Sequence, residues 1–289
     1  MTEKVDVIIN VFGKPFQTIC SLKSLIKHCS LHIDKIYYII ENNNLFNDSV
    51  SWVSNHFNNI EVFTKKHNSS SEYPDININK TKEERFGVHY QYGIEKSNKK
   101  YVFIMHNDVL FKGDIIGDML SQIGSTAGIG LIGQCWNCPA YYAKLCDRDT
   151  YEQYNPTYEE AIKVLNECHD KCRTTNDKID KIKPMPFPEC RVNEFACVIN
   201  REITMRECYP NGDTPLFGIG GYTDIACGWF KSLMHKGYKF KNYYIPNICD
   251  HGYWSNTCGQ DSQINIDKYI QSEKVAKEYY LKNYKNVSN

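Results

Sequence analysis

The chain has 289 residues, a length that suits one large α/β domain or two smaller ones. Its 34 basic and 34 acidic residues cancel to a net charge of +0 at pH 7, so no broad electrostatic field attracts nucleic acid or an anionic membrane. This balance argues against nucleic acid as a partner, although it leaves room for a local basic patch.

Hydropathy and cysteine usage indicate a cytoplasmic protein. Residues 1–6 are polar and lead directly into a predicted strand, so we expect no secretion signal. No apolar run approaches the roughly 20 residues that a membrane-spanning helix needs, so we expect no transmembrane segment. The 13 cysteines are odd in number, and many lie in apolar runs where a free thiol packs as a small hydrophobe. We therefore expect most of them to be reduced.

The first half of the sequence predicts alternating strands and helices. Residues 5–13 form a continuous apolar run typical of a strand buried on both faces, and residues 16–29 carry an apolar stripe at helical spacing. The further predicted elements are a strand at 33–40, a short helix at 50–57, a strand at 60–66, an exposed loop at 67–80, a helix at 85–98, a strand from 101, a helix at 114–123 and a strand at 129–133. This βαβαβ order predicts an α/β fold with a parallel sheet and helices on both faces.

The second half is less regular. Residues 134–186 contain a cysteine-rich segment with a predicted helix at 158–172, and they interrupt the α/β order. A strand within 188–202, a glycine-rich turn with a helix and a strand start at 215–240, and a closing helix at 264–284 follow. We therefore divide the chain into 1–133, an insert at 134–186 and 187–289, all within one domain.

Polar residues follow predicted strands at the points where the strands end. Glu41 follows the second strand, and His106, Asn107 and Asp108 follow the fourth, while a turn follows Val11 at the end of the first. In open α/β sheets, ligands bind outside the carboxyl ends of the strands, so these residues suggest a nucleotide site with a cation. The alternative is that they only cap the helices that come next.

The order of these motifs resembles the inverting glycosyltransferases of the large family-two type, which have a GT-A fold. Residues 87–108 are similar to the helix of that family that runs into its Asp-x-Asp strand, and residues 215–240 are similar to its glycine-rich, acid-bearing turn and helix. Residues 251–254 and 276–284 resemble its C-terminal histidine and closing helix. The resemblance covers most of 1–133 and 187–289, through five weak motifs in the family's order.

This resemblance implies a GT-A-like, Rossmann-related fold with a mostly parallel central sheet. It also implies that a sugar passes, with inversion, from a nucleotide-diphosphate donor to a saccharide or glycoconjugate acceptor. In such a reaction a divalent cation, Mg²⁺ or Mn²⁺, stabilises the leaving diphosphate.

The resemblance assigns metal and donor roles to particular residues. Asp108 matches the second acid of Asp-x-Asp, which contacts the cation, and His106 stands where the family has the first acid. His251 matches the histidine that completes the metal or diphosphate shell. Glu41 matches an acid that contacts the base or the ribose. The remaining donor-binding candidates are Asn107, the backbone of Val11, the ring of Phe12 and, for phosphate, Arg85.

Each of these assignments has a structural alternative. Asp108 could be a turn residue, Glu41 a helix cap and Phe12 a core residue. Arg85 could be an exposed, solvated side chain, and a single histidine such as His251 is often structural.

Inverting transfer needs a carboxylate that takes the proton from the attacking hydroxyl. Asp224, in the glycine-rich turn, matches the base of the family, although Thr223 replaces the glutamate that normally precedes it. The alternative for Asp224 is the N-cap of the next helix. Glu194 is the reserve candidate for the base. Trp254 and Tyr253 are candidates for stacking on the acceptor sugar, or they simply pack.

The insert carries cysteines at spacings used by structural zinc sites. Its candidate ligands are Cys135, Cys138, Cys146, Cys168, His169, Cys172 and Cys190. Free thiols in a packed insert are the other interpretation. By resemblance the insert lies beside the acceptor, so it is expected to influence which acceptor is used.

Two other functions remain compatible with the sequence. One is a weak or inactive nucleotide-sugar-binding protein of the same fold, which the replacement of an acid by His106 favours. The other is a nucleotidyltransferase, for which Gly13 and Lys14 are the only residues that suggest a phosphate loop.

Overall fold

A computed structural model describes residues 2–41, 50–66, 81–168, 170, 172–220, 224–245, 248–254 and 265–285. The strands are β1 (Val5–Val11), β2 (Ile33–Ile40), β3 (Ile60–Thr64), β4 (Tyr101–Met105), β5 (Val109–Phe111), β6 (Gly128–Ile132), β7 (Val192–Asn200), β8 (Phe240–Asn242) and β9 (Cys249–His251). The α-helices are α1 (Pro15–Cys29), α2 (Lys82–Gly87), α3 (Gln91–Lys96), α4 (Ile115–Ile123), α5 (Pro139–Tyr142), α6 (Tyr158–Cys168), α7 (Arg201–Glu207), α8 (Cys227–His235) and α9 (Ile266–Asn283).

The central sheet has the strand order β3-β2-β1-β4-β7-β6-β8. Strands β3, β2, β1 and β4 are parallel, and β8 is parallel to β6. Strand β7 lies between β4 and β6 and is antiparallel to both. The mostly parallel sheet is therefore confirmed, with β7 as the exception. Because β7 runs the other way, its first residues reach the edge where β1, β2 and β4 end.

Both faces of the sheet are covered, as the continuous apolar run of β1 predicts. Val7 and Ile9 belong to one core, which packs against α1, α4 and α9. Ile8 points to the opposite face and belongs to a second core that includes Trp229 of α8. Leu165 of the insert is also part of this second core. The insert therefore packs on the same sheet as the rest of the chain.

Several helices begin where sequence signals predict. Pro15 occupies the first turn of α1, where its missing N–H costs no hydrogen bond. The side chains of Asp114, Asn200 and Asn265 accept hydrogen bonds from the first turns of α4, α7 and α9. These caps satisfy backbone N–H groups that have no partner within the helix.

Some predicted elements differ in detail. The single helix expected at 85–98 is two short helices, α2 and α3, separated by Tyr90 with a φ of 64°. The segment at 50–57 contains a 3-10 helix at Trp52–His56, and the helix of the insert ends at Cys168. The loop at 67–80 and the polar residues 42–44 lie outside the described residues. Across the ranges that the structure does describe, no helix combines the length and apolarity needed to cross a bilayer.

A second, two-stranded sheet places a C-terminal strand next to the residues that follow β4. Strand β5 pairs antiparallel with β9, so that Val109 lies opposite His251. Gly252 N–H also donates a hydrogen bond to Asp108 O at 3.1 Å. These contacts place His251 next to the residues that follow β4.

The glycine-rich turn before α8 passes close to the segment that precedes α3. A Cβ atom on Gly218 would lie 1.9 Å from the carbonyl oxygen of His89, whereas a Cβ atom on Gly220 would have no neighbour closer than 3.8 Å among the described residues. We predict that Gly218→Ala lowers the free energy of unfolding by about 1–3 kcal/mol, because backbone must shift to admit the methyl group.

Gly220→Ala is the matched control, and we expect it to change the free energy of unfolding by less than about 0.5 kcal/mol. Urea denaturation followed by tryptophan fluorescence measures both variants. Equal stability of the two variants would contradict the close approach at Gly218.

Candidate active site

Three side chains with metal-binding atoms meet beyond the carboxyl end of β4. His106 and Asp108 follow this strand directly, and His251 closes β9. In the part of the chain that the structure describes, this is the one group of three or more His, Cys, Asp or Glu residues whose ligand atoms lie within 4.8 Å of one another. We refer to it as the His-Asp-His cluster.

The geometry of the cluster fits a bound cation. His106 Nδ1 lies 3.3 Å from His251 Nε2, which lies 3.6 Å from Asp108 Oδ1. Asp108 Oδ1 lies 3.9 Å from His106 Nδ1. A point equidistant from these three atoms is about 2.1 Å from each, close to the usual bond lengths of Zn²⁺ to imidazole and Mg²⁺ to oxygen. Asp108 Oδ1 is also buried and has no hydrogen-bond partner among the residues that the structure describes, which is costly unless a ligand binds there.

His106 is oriented by an outer carboxylate. Its Nε2 atom lies 3.3 Å from Glu194 Oε1, so the neutral form of His106 carries its proton on Nε2 and presents the lone pair of Nδ1 to the cluster. Burial alone would lower the pKa of His106, but the hydrogen bond and charge of Glu194 outweigh it and raise the pKa. Carboxylate–histidine pairs of this kind are common around protein metal sites.

Residues around the cluster also act on its other two members, Asp108 and His251. Burial would raise the pKa of Asp108, but the charges of Lys14, His251 and His106 prevail and lower the pKa to about 2. Asp108 is therefore a carboxylate at neutral pH. His251 stacks on the ring of Phe195, with centroids 4.4 Å apart and planes 6° from parallel. Burial lowers the pKa of His251 to about 4, so its imidazole is neutral and able to bind a metal.

Lys14 forms a buried ion pair with the cluster that the sequence did not predict. Lys14 Nζ lies 3.0 Å from Asp108 Oδ2, and both side chains are less than a tenth exposed. Lys14 has a left-handed backbone conformation, with φ at 56° and ψ at 53°, which is unfavourable for a residue with a side chain. Its N–H donates to Tyr269 Oη at 3.1 Å, and its carbonyl oxygen accepts from Thr18 N–H at 2.8 Å. These contacts hold the conformation that directs Lys14 towards Asp108.

Helix α9 supports the turn that carries Lys14. The carboxylate of Glu273 accepts hydrogen bonds from the N–H groups of Phe16 at 2.8 Å and Gln17 at 3.3 Å. Glu273 thus fills the place of an N-cap for α1, although it lies more than 250 residues away in sequence. The closing helix is consequently part of the framework of the site.

Glu194, the reserve base, instead belongs to a buried charge network. It is 3% exposed, and Arg191 Nη1 lies 2.5 Å from its Oε2 atom. Burial would raise the pKa of Glu194, but Arg191 and His106 hold it well below the usual range. A carboxylate with so little affinity for a proton and so little access to solvent is a poor general base, so we assign Glu194 to positioning His106.

Asp224 lies on the other side of Arg191. Arg191 Nη2 is 3.2 Å from Asp224 Oδ2, which also accepts a hydrogen bond from Gln134 Nε2 at 2.6 Å. Its side chain remains 30% exposed, so it can be reached from solvent. Helix α8 has its N-cap at Ala226, so Asp224 does not cap this helix. Thr223, which precedes it, lies outside the described residues.

Glu41 is held in a buried polar cluster at the end of β2. Its carboxylate accepts a hydrogen bond from Asn10 Nδ2, and its Oε1 atom lies 3.2 Å from His89 Nδ1 and 4.0 Å from Lys65 Nζ. Burial would raise the pKa of Glu41, but His89, Lys65 and Asn10 together lower it to about 2. Burial also lowers the pKa of Lys65 to about 8. Neither Lys65 nor His89 was singled out from the sequence, because each is a single polar residue after an apolar or irregular stretch.

Two predicted donor-binding residues have structural roles. Asn107 is buried, and its Nδ2 atom donates to Gly13 O at 3.3 Å and to Thr18 Oγ1 at 3.1 Å. Val11 is buried in β1, and its carbonyl oxygen accepts from Glu41 N–H at 3.0 Å. Asn107 therefore joins the end of β4 to α1 and the turn before it. The Val11 carbonyl oxygen is hydrogen-bonded to the residue that follows β2. Phe12, next in the chain, is half-buried.

Arg85 is largely buried and forms a two-point ion pair with Glu95. Its Nε atom donates to Glu95 Oε1 at 2.7 Å, and its Nη2 atom donates to Glu95 Oε2 at 3.1 Å. This two-point pair joins α2 to α3.

The two aromatic residues proposed for the acceptor differ in exposure. Trp254 is 6% exposed and lies edge-to-face against Tyr279, with ring centroids 4.9 Å apart. It packs in the core rather than offering a face to a sugar. Tyr253 is 48% exposed and keeps an accessible ring.

The cysteines of the insert do not assemble a zinc site in the described residues. Cys135, Cys138, Cys146 and Cys190 are buried free thiols. Cys172 donates instead to the carbonyl oxygen of Cys168. No three of these thiols belong to a group of ligand atoms within 4.8 Å of one another, and His169 lies outside the described residues.

Comparisons with known proteins identify the fold. No protein-family model and no curated protein matches the sequence. The structure is similar to a mannosyltransferase from Pyrobaculum calidifontis, solved in complex with GDP-Man and Mn²⁺, at a TM-score of 0.52 and 8% sequence identity. That alignment covers 99% of this chain and 66% of the mannosyltransferase.

A weaker likeness is to glucosyl-3-phosphoglycerate synthase from Mycobacterium tuberculosis, solved with Mn²⁺, UDP and phosphoglyceric acid. It has 7% identity, covers 94% of this chain and 78% of that one, and has a TM-score of 0.47. The mixed but mostly parallel sheet and the likeness to the mannosyltransferase define the class of the chain: it has a GT-A-like, Rossmann-related fold.

The polar cluster around Glu41 generates a prediction about acid stability. The folded-state pKa of about 2 lies below the ordinary 4.5, so ionised Glu41 stabilises the fold above pH 4.5, and this stabilisation is lost as pH falls towards 2. Its full size is on the order of 3 kcal/mol. We predict that Glu41→Gln is less stable than the wild type at pH 7 and that the difference shrinks between pH 5 and pH 2.

Free energies of unfolding measured by urea titration at a series of pH values test this prediction. Glu278→Gln, an exposed change on α9, is the matched control and should follow the wild-type curve. A stability difference for Glu41→Gln that stays constant across this range would contradict the assigned pKa.

Proposed function

We propose that the chain is a glycosyltransferase that moves a sugar from a nucleotide-diphosphate donor to a saccharide or glycoconjugate acceptor. The observation that carries the proposal is the His-Asp-His cluster at the ligand-binding edge of a GT-A-like sheet. The similar mannosyltransferase was solved with a nucleotide sugar and a divalent cation, which supports the same pairing here.

In this proposal His106, Asp108 and His251 hold a divalent cation, Mg²⁺ or Mn²⁺. When bound, such an ion stabilises the negative charge that develops on a leaving diphosphate. Lys14 and Glu194 keep the ligands oriented, because each contacts a ligand through the atom that faces away from the centre of the cluster. The ligand atoms therefore need little rearrangement before they bind.

The nucleoside is proposed to lie over the ends of β1 and β2. Glu41 is only partly accessible there, and its fixed carboxylate can accept hydrogen bonds from a ribose hydroxyl or a base N–H. Phe12 is half-buried at the end of β1 and offers a ring next to this position. The diphosphate would then lie between Glu41 and the His-Asp-His cluster.

Asp224 is proposed as the general base of an inverting displacement. Its carboxylate takes the proton from an acceptor hydroxyl while the oxygen of that hydroxyl bonds to the anomeric carbon of the donor sugar. The bond from this carbon to the diphosphate breaks at the same time, and the nucleoside diphosphate leaves with the electron pair. Gln134 and Arg191 fix the carboxylate, and its exposed side is open to an acceptor. Tyr253 is the exposed aromatic residue proposed to contact the acceptor.

The replacement of an acid by His106 no longer favours an inactive binding protein. His106 contributes Nδ1 to the cluster, so the substitution changes the type of ligand atom without removing a ligand. We therefore favour the catalytic function over the binding function.

Donor binding gives the first test of the proposal. Thermal unfolding with UDP, GDP or dTDP, each with and without Mn²⁺, should show at least one nucleotide that raises the melting temperature in the presence of the ion. A ligand at 100 times its dissociation constant stabilises the folded state by about 2.7 kcal/mol, which such a scan detects readily. If no nucleoside diphosphate changes the melting temperature, the donor assignment is wrong.

Asp224→Asn gives the second test. We predict at least a 100-fold lower rate of nucleoside diphosphate release from the donor sugar, because an amide cannot take the proton of the acceptor hydroxyl. Nucleotide binding should be unchanged, because Asp224 is proposed to contact the acceptor and not the nucleotide. Asp213→Asn, which alters an exposed aspartate in the same part of the chain, is the control and should retain wild-type turnover. Full turnover in Asp224→Asn would exclude this residue as the base.

A further inference from the structure

We infer that the His-Asp-His cluster selects a transition-metal cation that binds nitrogen ligands well, such as Mn²⁺, Fe²⁺, Co²⁺ or Zn²⁺, over Mg²⁺ and Ca²⁺. The inference deepens the proposed function, since it concerns the cation of the same site, but it rests on ligand atoms that can be tested without a nucleotide.

The chemical type of the ligand atoms favours a transition cation. Two of the three facing atoms are imidazole nitrogens, from His106 and His251, and only Asp108 supplies an oxygen. Mg²⁺ and Ca²⁺ are hard cations that take oxygen ligands almost exclusively. Imidazole binds transition cations well, and affinity along the first row rises from Mn²⁺ towards Cu²⁺. The donor set is therefore matched to a transition cation.

The negative charge of the centre is low. Asp108 is the one carboxylate in the cluster, and Lys14 Nζ lies 3.0 Å from its Oδ2 atom. The lysine offsets the charge and occupies the oxygen that a two-point carboxylate ligand would need. Ca²⁺ commonly uses carboxylates in that two-point manner, so the pair disfavours it further.

Glu194, the carboxylate that contacts His106, already forms two interactions. Glu194 directs Oε1 to His106 Nε2 at 3.3 Å and Oε2 to Arg191 Nη1 at 2.5 Å. It thus acts on the cluster by orienting His106 rather than by supplying a second oxygen. Attraction by charge is weak in such a site, so affinity must come from the bonds to nitrogen.

The preorganisation of both rings makes this selection effective. His106 is fixed by Glu194, and His251 is fixed by stacking on Phe195 at 4.4 Å. Outer partners of this kind typically change metal affinity by about 10–100-fold when they are removed.

Mn²⁺ binding to the metal-free full-length protein, in the absence of nucleotide, tests the inference. Mn²⁺ is the probe because its preference for oxygen and nitrogen avoids the thiols of the chain. Pulsed electron paramagnetic resonance should show coupling of bound Mn²⁺ to imidazole nitrogens, and a 100-fold excess of Mg²⁺ should leave most Mn²⁺ in place. A spectrum without nitrogen coupling, or ready displacement by Mg²⁺, would overturn the inference.

His106→Asp is the informative variant, because it replaces one ring nitrogen with a carboxylate oxygen. It should lose part of the nitrogen coupling, and Mg²⁺ should compete with Mn²⁺ at least 10 times more effectively than in the wild type. His251→Asp, at a more exposed position, should act in the same direction if His106→Asp fails to fold. His28→Asp, on α1 and outside the cluster, is the control and should leave Mn²⁺ binding and Mg²⁺ competition unchanged. Unaltered selectivity in both cluster variants would contradict the inference.

The outcomes separate this inference from the proposed function. Nitrogen-ligated Mn²⁺ in a protein that binds no nucleoside diphosphate would uphold the cation selectivity and remove the support for glycosyl transfer. Donor turnover that proceeds equally well with Mg²⁺ and Mn²⁺ would support glycosyl transfer and contradict the cation selectivity.

Discussion

The buried ion pair between Lys14 and Asp108 is the contact on which the rest of the site depends. It joins the turn after β1 to the end of β4. Strands β2 and β3 follow on one side of β1 in the sheet, whereas β4 pairs with the other side of β1. Holding Lys14 there requires an unfavourable backbone conformation, which Tyr269 stabilises from α9. Breaking one side of such a pair leaves a buried charge without a partner, which is strongly destabilising. The pair consequently fixes the carboxylate around which the two histidines gather.

The antiparallel strand β7 gives the site its second half. Because it runs against β4, its first residues lie beside the end of β4, and His106 N–H donates to Phe195 O at 3.1 Å. Glu194 on this strand orients His106, while Arg191 just before it contacts both Glu194 and Asp224. Arg191 therefore joins the cluster to the candidate base. A purely parallel sheet would have placed these side chains at the opposite edge.

Much of the framework could be predicted from the sequence. The continuous apolar run of β1 and the helical stripe of α1 are strong local signals, and the βαβαβ order predicted where polar strand ends would meet. The residues after β4 were found in this way, whereas His251 was proposed from the resemblance of residues 251–254 to the C-terminal histidine of the family. The role of Lys14 could not be predicted, because it depends on a left-handed backbone and on contacts with residues 94 and 255 positions away. Arg85 and Asn107 turned inward for the same reason, since their partners are set by packing and not by local pattern.

The central claim is that the His-Asp-His cluster holds a cation beneath the diphosphate of a sugar donor. A crystal structure of the protein with Mn²⁺ and a nucleoside diphosphate, with anomalous diffraction to locate the ion, tests this most directly. The account predicts an anomalous peak within bonding distance of His106 Nδ1, Asp108 Oδ1 and His251 Nε2, with diphosphate oxygens on its open side. An ion bound elsewhere, or a nucleotide that does not contact the ion, would contradict it.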